Sequence, residues 1–130
     1  MLLVVEDSDA DFLIVELAVK ESSVSVDLRR VTDGAQALRF LRQLDEYQNE
    51  PQPDLVLLNW NLPKRTGYEV LVEMRTAESL RSIPVVVFTS SARERDTALA
   101  LGARDFVVKP STLEGVIRAV QTICSHLAAA

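Results

Sequence analysis

Four short polar clusters each follow a short apolar run: Glu6-Asp7 after Leu2–Val5, Asn59 after Leu55–Leu58, Thr89-Ser90 after Val85–Phe88, and Lys109-Pro110 after Phe106–Val108. The acids, the hydroxyl and the amine are laid out to serve a carboxylate, yet the residue standing among them is the amide of Asn59. A carboxylate oxygen is charged and can act as a nucleophile, whereas a neutral amide oxygen is a poor one. The amide keeps other abilities. Its oxygen accepts hydrogen bonds and ligates a hard cation weakly, and its NH2 donates to carboxylates such as Asp7 or Glu6. Dozens of residues separate these groups, so whether they meet depends on the elements that carry them.

The apolar runs Leu2–Val5, Val26–Val31, Leu55–Leu58, Val85–Phe88 and Phe106–Val108 have strand length and are rich in Val, and helix-length amphipathic segments lie between them. This alternation predicts an α/β chain of five βα units. Continuous runs such as VLL before Asn59 and VVVF after Pro84 suit strands covered on both faces, as in a parallel sheet flanked by helices. VDLRRV alternates more and is expected at an edge. In such a sheet the binding crevice lies beyond the carboxyl ends of the strands, so the four clusters converge there.

Helix boundaries carry their own signals. Ser8 or Asp9 can cap a helix running to about Ser22, Thr32 or Asp33 one running to about Leu44, and Ser111 or Thr112 the last one, with Glu114 completing a capping box from Ser111. Gly102 ends the fourth helix. In the last helix Leu113, Val116, Ile117, Val120, Ile123, Cys124 and Leu127 form one stripe facing the sheet, which makes Cys124 core filler. Asp45–Pro53 is polar, carries two prolines and reads as a surface loop.

A chain of 130 residues fits one domain, 1–130, with no internal boundary or repeat. The lone Cys124 and the lack of an apolar run of about 18 residues point to a reduced, cytoplasmic setting and away from a membrane span. Met1 leads directly into the first strand with no basic n-region or small-residue cleavage site. The net charge is −5 and the basic residues are scattered, which argues against nucleic acid and for protein partners.

VVEDSDAD, PDLVLLNWNLPKRTGYEVL, IPVVVFTSSA and GARDFVVKP resemble, in order and spacing, the four signature blocks of the response-regulator receiver domain of two-component signalling. KPSTLE, NLPKRTG and the length are also similar to the small single-domain regulators paired with bacterial and cyanobacterial phytochromes. The resemblance implies a doubly wound, flavodoxin-like (βα)5 fold with a parallel five-stranded sheet in the order 2-1-3-4-5. It implies that Asn59 stands at the phosphoacceptor position, where an aspartate would attack a phosphohistidine with Mg2+ neutralising the transferred charge. Asp7 would be a direct metal ligand, Glu6 would act through water, and Asn59 and the Asn61 carbonyl would complete the set. Thr89 would hydrogen-bond a phosphoryl oxygen and Lys109 would pair with its charge. Phe106 would be the rotating aromatic of the switch, and Pro110 stands at the family's usual cis-proline position.

Two departures from the family follow. With Asn59 in place of aspartate, ordinary phosphotransfer should fail and Mg2+ affinity should fall. Thr66, before Gly67, stands where the family often has an acid. Asn59 fits either a natural pseudo-receiver or an ordinary receiver with one phosphorylation-blocking substitution.

Each residue also has a plainer reading. Glu6-Asp7 could be a solvated turn, Thr89 a strand end, Lys109 a structural partner of Asp7, Trp60 a packing residue and His126 an ordinary surface residue. The leading expectation is a binding and signalling module that docks on a sensor histidine kinase, such as a bacteriophytochrome, and is not an enzyme. The rival is a Mg2+-dependent phosphohydrolase of similar topology, for which Asn59-Trp60-Asn61 lacks both carboxylates. A flavodoxin-like nucleotide carrier would need a Gly-rich loop where SDAD stands. A homodimer is expected through the fourth and fifth βα units, by way of Ala98, Leu99, Leu101 and Val107, with Phe12–Val15 of the first helix as the competing surface.

Overall fold

The computed structural model describes residues 1–22 and 25–128. The apolar runs form β1 (Leu2–Val5), β2 (Leu28–Val31), β3 (Leu55–Leu58), β4 (Val85–Thr89) and β5 (Asp105–Val108). Between and after them come α1 (Asp9–Glu21), α2 (Gly34–Leu41), α3 (Gly67–Thr76), α4 (Arg95–Ala100) and α5 (Leu113–Ala128), with a 3-10 turn at Asp45–Tyr47 inside the polar loop. All strand pairs are parallel and the order is β2-β1-β3-β4-β5, as expected. The fold is therefore the doubly wound flavodoxin-like one.

Side chains alternate along each strand, so each strand feeds two cores. Leu2, Val4, Leu55, Leu57, Val86 and Phe88 pack under α1 and α5, while Leu3, Val5, Val56, Leu58, Val85 and Val87 pack under α2, α3 and α4. Every residue of β1, β3 and β4 is buried, which is why these three read as unbroken apolar runs.

The register sets the strand ends almost level. Val5 pairs with Leu58, Leu58 with Val87, and Val87 with Phe106, so the residues that follow emerge side by side. Two glycines let helix starts close on this edge. A Cβ at Gly67 would lie 2.6 Å from the Asn59 carbonyl oxygen, and one at Gly34 would lie 1.9 Å from that of Arg65.

Several boundaries differ from expectation. β2 begins at Leu28 and not Val26, and only Val31 of it is fully buried, as suits an edge strand. α2 stops at Leu41, short of Leu44, because Gln43 turns to φ 56° and the Gln43 and Leu44 N–H groups bond back to Phe40 and Arg39. That is a Schellman ending made without glycine, so it carries no glycine signal. Gly102 makes the expected version after α4, with φ 95°.

Ser8 is the α1 cap, and Asp33 caps α2. The capping box assigned to Ser111 and Glu114 does not form. Thr112 Oγ1 accepts from Gly115 N–H, and Glu114 pairs with Arg118 one turn on. A full box forms at Thr66 and Glu69 instead, so the residue in the family's acidic position is the cap of α3. In α5 the stripe is buried at Val120, Ile123 and Cys124, while its leading residue Leu113 is exposed. Ala98, placed on the surface by the sequence reading, is fully buried.

Candidate functional site

The site is one chain of hydrogen bonds across the carboxyl edge of the sheet. β1 delivers Glu6, which is only 3% exposed, and then Asp7, which is exposed. β3 delivers Asn59, whose backbone N–H continues the sheet to Val5 at 3.1 Å. The Asn59 Nδ2 donates to Glu6 Oε2 at 3.0 Å and to Asp7 Oδ1 at 3.1 Å. Lys109 Nζ reaches the other Glu6 oxygen, Oε1, at 2.8 Å and also donates to Asp11 Oδ2 at 3.0 Å. The buried carboxylate of Glu6 is thus held from both sides, by an amide and by an ammonium group, and it also accepts the Ser8 N–H at 3.2 Å.

This corrects the expected pairing of Lys109 with Asp7. Glu6 is buried and takes both Lys109 and the Asn59 amide, whereas Asp7 is exposed and, among the described residues, accepts the amide only. Asp11 was not singled out in the sequence. The signal was its place in the first turn of the helix that follows Glu6-Asp7 directly, which keeps its side chain at the strand-end edge.

Thr89 closes β4 with no solvent exposure, and its Oγ1 is buried without a hydrogen-bond partner among the described residues. A hydroxyl left in that condition is costly, and it is ready to donate to an anion that enters. Phe106 is buried in the core with the Arg95 guanidinium 5.3 Å from its ring centroid. Pro110 follows Lys109 through a trans bond, since no peptide bond among the described residues is cis. Asn61 is exposed in the loop after β3, and among the described residues no hydrogen bond ties it to Glu6, Asp7 or Asn59. Trp60 is buried and meets Tyr68 edge-on at 6.2 Å, a packing role.

Arg30 is a second residue that sequence reasoning missed. Its register partner on β1 is Val4, two residues before Glu6. From there its Nε donates to the Glu6 carbonyl at 3.1 Å, its Nη1 meets Asp9 at 2.8 Å, and its guanidinium stacks 4.8 Å from the Phe12 ring centroid. The turn that presents the acidic pair is therefore clamped from β2. A basic residue on the strand beside an acidic strand end was the available signal.

Electrostatically, burial pulls the Lys109 pKa down, but the hydrogen bonds to Glu6 and Asp11, with their charges, outweigh it and leave it raised. The amine is held firmly as a cation. Among the described residues no group of three or more His, Cys, Asp or Glu side chains is arranged to hold a metal. The oxygens present, two carboxylates, one amide and a loop carbonyl, are nonetheless the kind a hard cation takes, with one charge fewer than a third carboxylate would give. No helix among the described residues is long and apolar enough to cross a membrane.

Comparison with known proteins agrees with the fold. The chain is 40% identical over 125 residues to the response regulator Rcp1 of Synechocystis sp., covering 95% of this chain and 85% of that one. It superposes on the crystal structure of the phosphorylated cyanobacterial phytochrome response regulator RcpA with a TM-score of 0.92 and 36% identity, covering 99% of this chain and 94% of that one. Against the Mn2+-bound form of Rcp1 the TM-score is 0.90 at 40% identity, covering 97% and 92% of the two chains. Residues 2–121 match the family described as the response regulator receiver domain, and the chain belongs to that family.

Proposed function

We propose that this chain is a two-component receiver module that docks on a sensor histidine kinase and takes no phosphoryl group at its phosphoacceptor position, Asn59. A bacteriophytochrome kinase is the candidate partner, because RcpA, which this chain resembles in fold and sequence, is a cyanobacterial phytochrome response regulator, and the cytoplasm is the expected setting. One observation carries the reading: Asn59 stands at the end of β3 with its amide nitrogen turned to both acids. An amide oxygen has no charge with which to attack phosphorus and no comparable stable product.

The remaining groups suit a phosphoryl anion. Thr89 offers a free buried hydroxyl, and Lys109 a fixed positive charge. Phe106 would report a shift of Thr89 through the strand pairing of β4 and β5. Mg2+, if bound, would be held by Glu6, Asp7, Asn59 and the Asn61 carbonyl, more weakly than in a receiver with aspartate, and would neutralise charge on the anion. The Asn59 NH2 already does part of that work by bridging the two acids. A phosphohydrolase is not favoured, since neither Asn59 nor Asn61 can act as its nucleophile or its acid and base.

Incubation with acetyl phosphate and Mg2+ tests the reading by mass spectrometry. The chain should gain no phosphoryl mass and the Asn59→Asp variant should gain one, mapped to residue 59. Equal labelling of both at that residue would refute it, and labelling at Thr89 or Ser90 would show a different acceptor.

A further inference from the structure

Lys109 has two carboxylate partners of unlike character. Glu6 is buried, bonded also to Asn59 and Ser8, and cannot leave without stranding those donors. Asp11 is 45% exposed at its side chain, sits in the first turn of α1, and among the described residues bonds only Lys109 through its carboxylate. It lies on the wall of an open groove of about 170 Å3, together with Ile14, Phe88, Pro110 and Leu113, so it has room to swing away. The ammonium group itself is held near the Phe88 ring, 5.7 Å from its centroid, and is mostly buried.

From this asymmetry we infer that Asp11 is a positioning residue that occupies, in the resting site, the coordination place on Lys109 that an incoming phosphoryl-type anion must take. Glu6 fixes where the ammonium group lies, and Asp11 competes for its free face. An anion that approaches Lys109 therefore displaces Asp11 and not Glu6. The two carboxylates divide the tasks of holding the cation and of raising the threshold for its use. The inference rests on the receiver reading of the site.

The test uses the Asn59→Asp chain with Mg2+, titrated with beryllium trifluoride as a phosphoryl analogue and followed by the fluorescence of Trp60, the only tryptophan. Adding Asp11→Asn should tighten the analogue about two- to fivefold, the scale of a partly exposed ion pair, and quicken labelling by acetyl phosphate in step. Asp11→Glu should keep the parent value. Asp9→Asn removes an equal charge from the fully exposed neighbour held by Arg30 and should have the smaller effect. Thermal unfolding of each variant separates a loss of stability from a change in affinity. Equal shifts from Asp9→Asn and Asp11→Asn would reduce the effect to bulk charge and overturn the inference, as would weaker binding on Asp11→Asn. An Asn59→Asp chain that takes up neither phosphoryl group nor analogue overturns the receiver reading, and the inference with it. One that binds identically with and without Asp11→Asn overturns the inference alone.

Discussion

The Lys109 backbone N–H donates to the Thr89 carbonyl at 2.7 Å, so the amine and the hydroxyl of the site hang from one rung between β4 and β5. The sheet, and not the ion pairs, fixes where Lys109 starts. Its side chain can then be altered without moving the strand that carries it.

Lys109→Met should accordingly keep the fold and lose stability, because it leaves the Glu6 carboxylate buried without its cation. The expected cost is about 3 kcal/mol, read by denaturant unfolding, and Glu6→Gln in the same chain should recover part of it. The pH dependence has a definite sign. The folded state binds the Lys109 proton more tightly than the unfolded chain, so this contribution is complete below the ordinary lysine value of about 10.4 and is lost as pH rises through the folded value. The parent should lose stability on that alkaline limb while Lys109→Met stays flatter there. Parallel alkaline curves would contradict the assignment.

Thr89→Val should be neutral or should stabilise by about 1 kcal/mol. The substitution keeps the branched shape at a fully buried position and removes a hydroxyl with no partner among the described residues. In the Asn59→Asp chain the same change should weaken beryllium trifluoride binding, since the donor is then needed. A destabilised Thr89→Val chain would mean that the hydroxyl has a bound partner such as water.

Mg2+ should bind more weakly to this chain than to Asn59→Asp, by roughly tenfold or more if one charge-assisted contact is lost. The amide also has to turn its nitrogen away from Glu6 and Asp7 before its oxygen can face a cation. Trp60 follows Asn59 directly, and its fluorescence gives both dissociation constants. Matched values would show that residue 59 contributes no charge to the ion.

Most of the sheet could be read from the sequence because β1, β3 and β4 are buried on both faces and so appear as uninterrupted apolar runs. The site could be read because its residues are the next ones along: once the strands are parallel and level, Glu6, Asn59, Thr89 and Lys109 have nowhere else to emerge. The choice of partners was not legible. Whether Lys109 takes Asp7 or Asp11 depends on how the first turn of α1 is set against β1, which the local Ser8 cap and the contact of Arg30, distant in sequence, decide together. The end of α2 was hidden for a different reason, since Gln43 adopts a left-handed backbone that the sequence signals would have assigned to glycine.

The assembly prediction sets two surfaces against each other. Burial of Ala98 narrows the apolar face of α4 to Leu99, 41% exposed, with half-buried Leu101 two residues on, while Val107, expected on the same surface, packs instead against the core on the α1 and α5 side of the sheet. The first helix exposes Leu13, 56%, and Leu17 one turn later, and Leu113 at the start of α5 is exposed as well. Of the four residues Phe12–Val15, only Val15 is fully buried, so α1 does leave apolar surface uncovered. The α4–β5 face can nevertheless extend a two-fold contact along an edge strand, with β5 lying at the margin of the sheet, whereas α1 has α5 packed along its flank. Leu99→Glu should therefore convert the dimer to monomer in light scattering, and Leu13→Glu should leave it intact. The reverse pattern would move the interface to the first helix, and a monomeric parent at micromolar concentration would remove the homodimer altogether.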